Sequence, residues 1–161
     1  MKSKKIILDK SGKSNALFFK NNMNVFDKKI INFLENHYKK KKTELRFCLH
    51  KSKSTNLQVM INLIVKKDKY QLHYHNFSDE YYFPIKGNLK LLTFDKKNKF
   101  INSFKVDKKK GFLGKIIKGQ THIAVPLKNF CIYLEFRSGN FTQHKNVFSK
   151  KFVNYKEALK L

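Results

Sequence analysis

Cysteine is scarce in this chain: its 161 residues hold two, Cys48 and Cys131, and neither belongs to a CxxC or CxxxC motif. Two buried, reduced thiols in a cytoplasmic protein are the expectation. Long apolar runs are missing as well. None approaches the roughly 18 residues of a membrane span. The N-terminus, MKSKKIILDKSGK, is charged, but its apolar run is only IIL, too short for a secretory signal. Arginine is almost absent. Of 36 basic residues only Arg46 and Arg137 are arginine, set against 11 acidic residues, for a net charge of +25.

Such a charge invites a nucleic-acid partner. The arginine shortage argues against one, because base-edge readout and a bidentate phosphate grip favour the planar guanidinium fork. The lysines are spread along the whole chain rather than gathered into a stripe. They accompany abundant Asn, Ile and Phe, the mixture of an AT-rich genome. Solvated lysine faces therefore account for the charge, and neither nucleic acid nor membrane insertion is expected. A weak general pull on anions remains.

What is present is enough to fold. Hydrophobic residues make up 41% of the chain, which excludes compositional disorder, and the length fits one compact domain. In NVFDKKIINFLENHYKKKK, Ile30, Phe33, Leu34 and Tyr38 recur at helical spacing, with Ile31 at the edge of the face. The spacing predicts one amphipathic helix over about 27–40, capped by Asn24 or Asp27, with lysines 39–42 at its C-terminal end. Residues 1–20 read as a short strand or extended arm, docked through ALFF at 16–19. From residue 44 onward short strands follow, at 45–50, 57–65, 69–75, 80–86, 89–95, 100–106, 112–117, 122–127 and 131–137. Turn clusters such as KSKSTN, KKDK and DKKNK separate them. Many short strands and one helix predict an all-β sandwich or barrel. Pro84 places its strand at an edge or a bulge. The expected organisation is an arm and helix at 1–43, a barrel at 44–148 and a tail at 149–161.

The chemistry concentrates in YQLHYH. On a strand, alternation puts Gln71, His73 and His75 on one face. Alone, a His-x-His pair on a strand is more often two surface or core histidines than a ligand pair. Here a turn, NFSD, leads to Glu80, and His122 follows a glycine-containing turn downstream. Three imidazoles and a carboxylate suit Zn, Fe, Mn or Ni better than Ca or Mg. The other histidines read differently: His37 borders the apolar face of the helix, and His144 lies near the tail.

The spacing His73, His75, Glu80, Gly87 resembles the first signature motif of the cupin family, and Gly111, Gly119 and His122 resemble its second. Lys67, Ile117 and Pro126 stand where that family usually has Gly, Pro and Asn. More narrowly, LRFCLHKS, YQLHYHNFSDEYYFPIKGNLKLLTFDKKNKF, THIAV and LEFRSGNF resemble the WbuC family over about residues 25–148. The tail SKKFVNYK departs from that family, as does Tyr74 between the histidines. The resemblance implies an RmlC-like cupin jelly-roll β-barrel with an N-terminal arm and one amphipathic helix. It implies one divalent transition metal on His73, His75, Glu80 and His122, and a role in O-antigen or other surface-polysaccharide synthesis. The implied ligand is a sugar or nucleotide-sugar, with isomerisation or epimerisation as the implied chemistry. A non-catalytic carbohydrate-binding or regulatory metal cupin is the alternative, so enzymatic activity stays open. Arg46 and His50 match the family's R-x-C-x-H segment and, with Gln71 and Glu135, are candidates for a substrate pocket. For Glu135, a surface salt bridge to a lysine is an equal alternative, and Gln71 can equally be a buried polar residue. Open sheet edges offer a route to a homodimer.

Overall fold

The computed structural model describes residues 6–12, 14–19, 27–109, 111–140 and 146–161. Strands β1 (Ile6–Asp9) and β2 (Asn15–Phe19) form a hairpin, followed by helix α1 (Lys28–Lys41). Then come β3 (Leu45–Cys48), β4 (Leu57–Val65), β5 (Lys69–His75), β6 (Glu80–Lys86) and β7 (Leu89–Phe94). The chain continues through β8 (Phe100–Val106), β9 (Gly114–Ile116), β10 (Thr121–Pro126), β11 (Phe130–Ser138) and β12 (Asn146–Asn154) to a short helix, α2 (Tyr155–Lys160). Two sheets result, ordered β1-β2-β3-β4-β11-β6-β9 and β12-β5-β10-β7-β8, packed as a jelly roll. Only the β2–β3 pair is parallel among the described residues, and α1 supplies the crossover that a parallel pair requires.

The nine expected strands are present, their ends displaced by no more than two residues. ALFF docks as expected, through the parallel pairing of Ala16 with Arg46 and Leu17 with Phe47. Residues 149–154, read from sequence as part of a tail, continue β12, which pairs with β5 from Asn146–His75 to Asn154–Lys69. A bulge between Phe148 and Phe152 breaks the two-residue alternation there, so the strand has no clean periodic signature. Beyond it α2 adds a second helix, short enough that packing rather than propensity holds it. Pro84 sits where the register between β6 and β11 shifts, so its missing N–H falls at an irregularity in the ladder.

Each sheet has one face on a helix. Asp27 caps α1, its Oδ1 accepting from the Lys29 N–H at 2.8 Å, whereas Asn24 lies outside the described residues. Lys42, at φ 51°, ends the helix by donating its N–H to the Tyr38 carbonyl. Ile30 and Leu34 pack against Leu17, Leu45, Phe47 and Leu63 on the outer face of the larger sheet. Phe33, expected on this buried face, is 46% exposed and meets Phe47 edge-on at the rim. Helix α2 covers the smaller sheet in the same way, with Ala158 and Tyr155 against Leu72, Leu92 and Ile123. Alternation sends the intervening residues inward. Arg46, Asn62, Tyr133 and Glu135 therefore share the inner face of the larger sheet, and His73, His75 and His122 face them from the smaller one. Cys48 and Cys131 are buried free thiols, and burial pushes both up to about 12. Among the described residues no helix is long and apolar enough to cross a membrane.

Candidate metal centre

Strand β5 carries His73 and His75 inward two residues apart, and β10 places His122 directly opposite His73 in register. The chain turns after β5 and re-enters as β6 in the other sheet, which brings Glu80 across the barrel toward the same point. Two motifs far apart in sequence are tied together here, because the Gly119 N–H bonds the His75 carbonyl at 2.8 Å. One donor atom from each of His73, His75, Glu80 and His122 lies within 4.8 Å of all the others. Ligands about 2.1 Å from one ion lie within about 4.2 Å of each other, so small side-chain movements suffice for all four to meet one ion.

Hydrogen bonding fixes the state of His122. Its Nδ1 lies 2.8 Å from the Gln120 carbonyl, which can only accept, so Nδ1 carries the proton. In the neutral ring Nε2 is then a lone pair, and it lies 3.0 Å from Glu80 Oε2, another acceptor. Tyr82 already donates its hydroxyl proton to that carboxylate oxygen at 2.6 Å. A neutral ring would set two lone pairs against each other in a fully buried setting, so a proton or a metal ion belongs between them. The donor set thus fits a divalent ion, with a backbone carbonyl orienting the histidine from behind as metal-bound histidines require.

The surroundings agree. Burial pushes the Glu80 carboxyl upward, but contacts with His122 and His75 outweigh it and hold the group well below the usual carboxylate range. His75 lies 2.7 Å from Glu80 Oε1, and burial lowers its pKa despite that carboxylate, favouring the neutral, ligating ring. Burial, then the Glu80 charge, pushes the Tyr82 hydroxyl well up, so it serves as a hydrogen-bond donor. Arg137 reaches Glu80 Oε1, His75 Nδ1 and Asn146 Oδ1, each at 3.3 Å.

A cavity of about 340 Å³ opens onto the cluster, and Arg46, Gln71 and Glu135 line it together with His73, His75 and Glu80. Gln71 also donates to the Ser149 carbonyl at 2.9 Å, closing the bulge in β12. Glu135 accepts from Asn62 Nδ2 at 2.7 Å and from the Tyr133 hydroxyl at 3.3 Å. Burial and then the Glu80 charge raise it to about 7. His50 is not brought to this cavity. It lies beyond the end of β3, with Nδ1 against the Val59 backbone and its ring edge-on to Phe18. His37 bonds Thr43 near the end of α1, and His144 lies outside the described residues. Tyr82, which the sequence offers as a packing or cavity-lining residue, lines it too, and Asn62, Arg137, Asn146 and Phe148 belong to the cavity without having been singled out for it. Parity was the available signal for two of them: Tyr82 shares a face with Glu80, and Arg137 with Glu135.

A family model described as "Domain of unknown function (DUF6016)" matches residues 27–106. No curated protein matches the chain. Among solved structures, CapF with the inhibitor 3-isopropenyl-tropolone aligns with a TM-score of 0.54 at 17% identity, over 68% of this chain and 32% of that one. The coconut allergen cocosin aligns with a TM-score of 0.50 at 6% identity, over 66% of this chain and 28% of that one. The chain therefore spans about a third or less of the length of these two structures. Likeness at these identities shows the fold, and the fold is the cupin jelly roll.

Proposed function

We propose that this chain is a metal-binding cupin of the WbuC type, acting on a sugar or nucleotide-sugar in O-antigen or capsule synthesis. One observation carries the metal: three imidazoles converge on the buried Glu80 carboxylate, one donor atom of each within 4.8 Å of all the others. The sugar rests on the family resemblance and on the size of the cavity, whose 340 Å³ lies at the low end of small-molecule sites and takes a single ring. A nucleotide would extend outside it.

His73, His75, Glu80 and His122 hold the ion. When bound, it would supply Lewis-acid chemistry of the kind that isomerisation or epimerisation of a sugar uses. Tyr82 keeps Glu80 oriented through its 2.6 Å hydrogen bond. Arg137 offsets the carboxylate charge from the side away from His122. Glu135, held near 7, can give or take a proton at neutral pH.

Elemental analysis of protein purified without added metal tests the ion. About one transition ion per chain is expected, lost in His122→Ala and in His73→Ala. Chelation should lower the melting temperature, since an ion at 100 times its Kd stabilises by about 2.7 kcal/mol. Protein without stoichiometric metal, and unaffected by His73→Ala, would end the metal reading. Incubating loaded protein with a panel of nucleotide-sugars, with product analysis, then separates an enzyme from a carbohydrate-binding cupin that does not turn over.

A further inference from the structure

The only two arginines of this lysine-rich chain line one cavity. Their partners differ. Arg137 is engaged with Glu80 and Asn146. Arg46, on the inner face of β3, donates from Nε to Ser14 Oγ at 2.8 Å. Among the described residues its Nη atoms make no hydrogen bond and have no carboxylate within 4.0 Å.

The nearby acids form no direct ion pair with it, although its charge is felt at Glu135. Glu44 is paired with Lys67 at 2.7 Å. Glu135 is engaged by Asn62 and Tyr133 and, held near 7, is only partly ionised at neutral pH. A half-buried guanidinium without a paired carboxylate is unfavourable, and its planar fork matches a carboxylate or phosphate with two parallel N–H donors. Position matters as well. Arg46 lies in the row of Asn62 and Tyr133, whereas Glu80 lies in the row of Arg137. Tyr133 and Arg137 are four residues apart, about 13 Å along β11. The cavity therefore has two poles, the four-donor cluster at one end and a lone guanidinium at the other.

We propose that Arg46 is an anion subsite, receiving a carboxylate or phosphate carried by the cavity's ligand away from the group that meets the metal cluster. Ser14, supplied by the N-terminal arm, sets the angle of the fork. That the ligand is a sugar acid or sugar phosphate rests on the sugar reading above, whereas the subsite itself does not.

Two arginines give two side-chain Nε–H signals in a ¹H–¹⁵N spectrum of the full chain, assignable through their own backbones. Inorganic phosphate, glucuronate, glucose 1-phosphate and glucose are titrated separately in about 0.15 M salt, where exposed lysines are screened beyond about 8 Å. The Arg46 signal should shift saturably with at least one anion and not with glucose. The glucuronate and glucose 1-phosphate arms decide between carboxylate and phosphate. Arg46→Gln should weaken the anion at least tenfold and Ser14→Ala severalfold, while Lys156→Gln, the same loss of charge on the exposed surface, leaves it unchanged. An Arg46 signal that stays still with every anion would overturn the subsite, and this needs no variant to fold. Equal affinity in wild type and Arg46→Gln would also overturn it. Inorganic phosphate that saturates Arg46 while neither sugar derivative binds more tightly would uphold the subsite and sink the sugar reading alone.

Discussion

Replacing Glu135 by Gln should make the protein more stable at pH 8 and leave it nearly unchanged at pH 4.5. Burial, then the charge of Glu80, moves this carboxyl from its usual 4.5 to about 7 in the folded chain. Such a displacement corresponds to about 3 kcal/mol between the two protonation states. Below pH 4.5 both folded and unfolded chains keep the proton, and the group is neutral in each. Between 4.5 and about 7 the folded state binds more protons than the unfolded one, so stability falls as pH rises. Above that range both states are ionised and the whole cost of the half-buried charge is felt. Glutamine keeps a carbonyl oxygen to accept from Asn62 and Tyr133 but cannot ionise. Urea unfolding of metal-free wild type and Glu135→Gln at pH 4.5, 6 and 8 should give a difference that grows to about 3 kcal/mol. Other titrating groups contribute to both proteins and cancel in the difference. Parallel stability profiles would refute the reasoning, because they would mean that Glu135 ionises in the fold as readily as in water. Adding metal should narrow the gap, since an ion on Glu80 removes part of the repulsion that keeps Glu135 protonated.

Two stability predictions test the frame around the site. Gly87→Ala should cost about 2 kcal/mol or more, because φ is +79° and an added Cβ would lie 2.9 Å from the Phe130 carbonyl oxygen. Thermal unfolding reads it, and a melting temperature equal to wild type would contradict the close approach. Asp27→Ala should cost about 1 kcal/mol by removing the α1 cap, with Asp27→Asn largely restoring it. Equal loss in both variants would show that the cap bond is not what matters there.

Much of this protein was legible in one dimension. Period-two runs gave away nine strands, and the 3.6-residue recurrence of Ile30, Leu34 and Tyr38 gave away α1, because those periods follow from backbone geometry alone. The spacing of His73, His75 and Glu80 survives folding because a strand and a tight corner leave little freedom between them. Two features escaped for local reasons: β12 is interrupted by a bulge, and α2 is too short to carry a pattern. His50 left the expected cavity because β3 ends at Cys48, which removes the strand parity that would have aimed it inward. Sequence by itself thus determined nine of the twelve described strands and the metal-type donors, since both depend on spacing along the chain. Only the tertiary structure decided that His122 faces Glu80, that Glu135 is half-buried in the same cavity, and that both arginines meet there. Those are relations between strands distant in sequence, within one sheet and across the barrel, and such pairing leaves no trace in the order of residues.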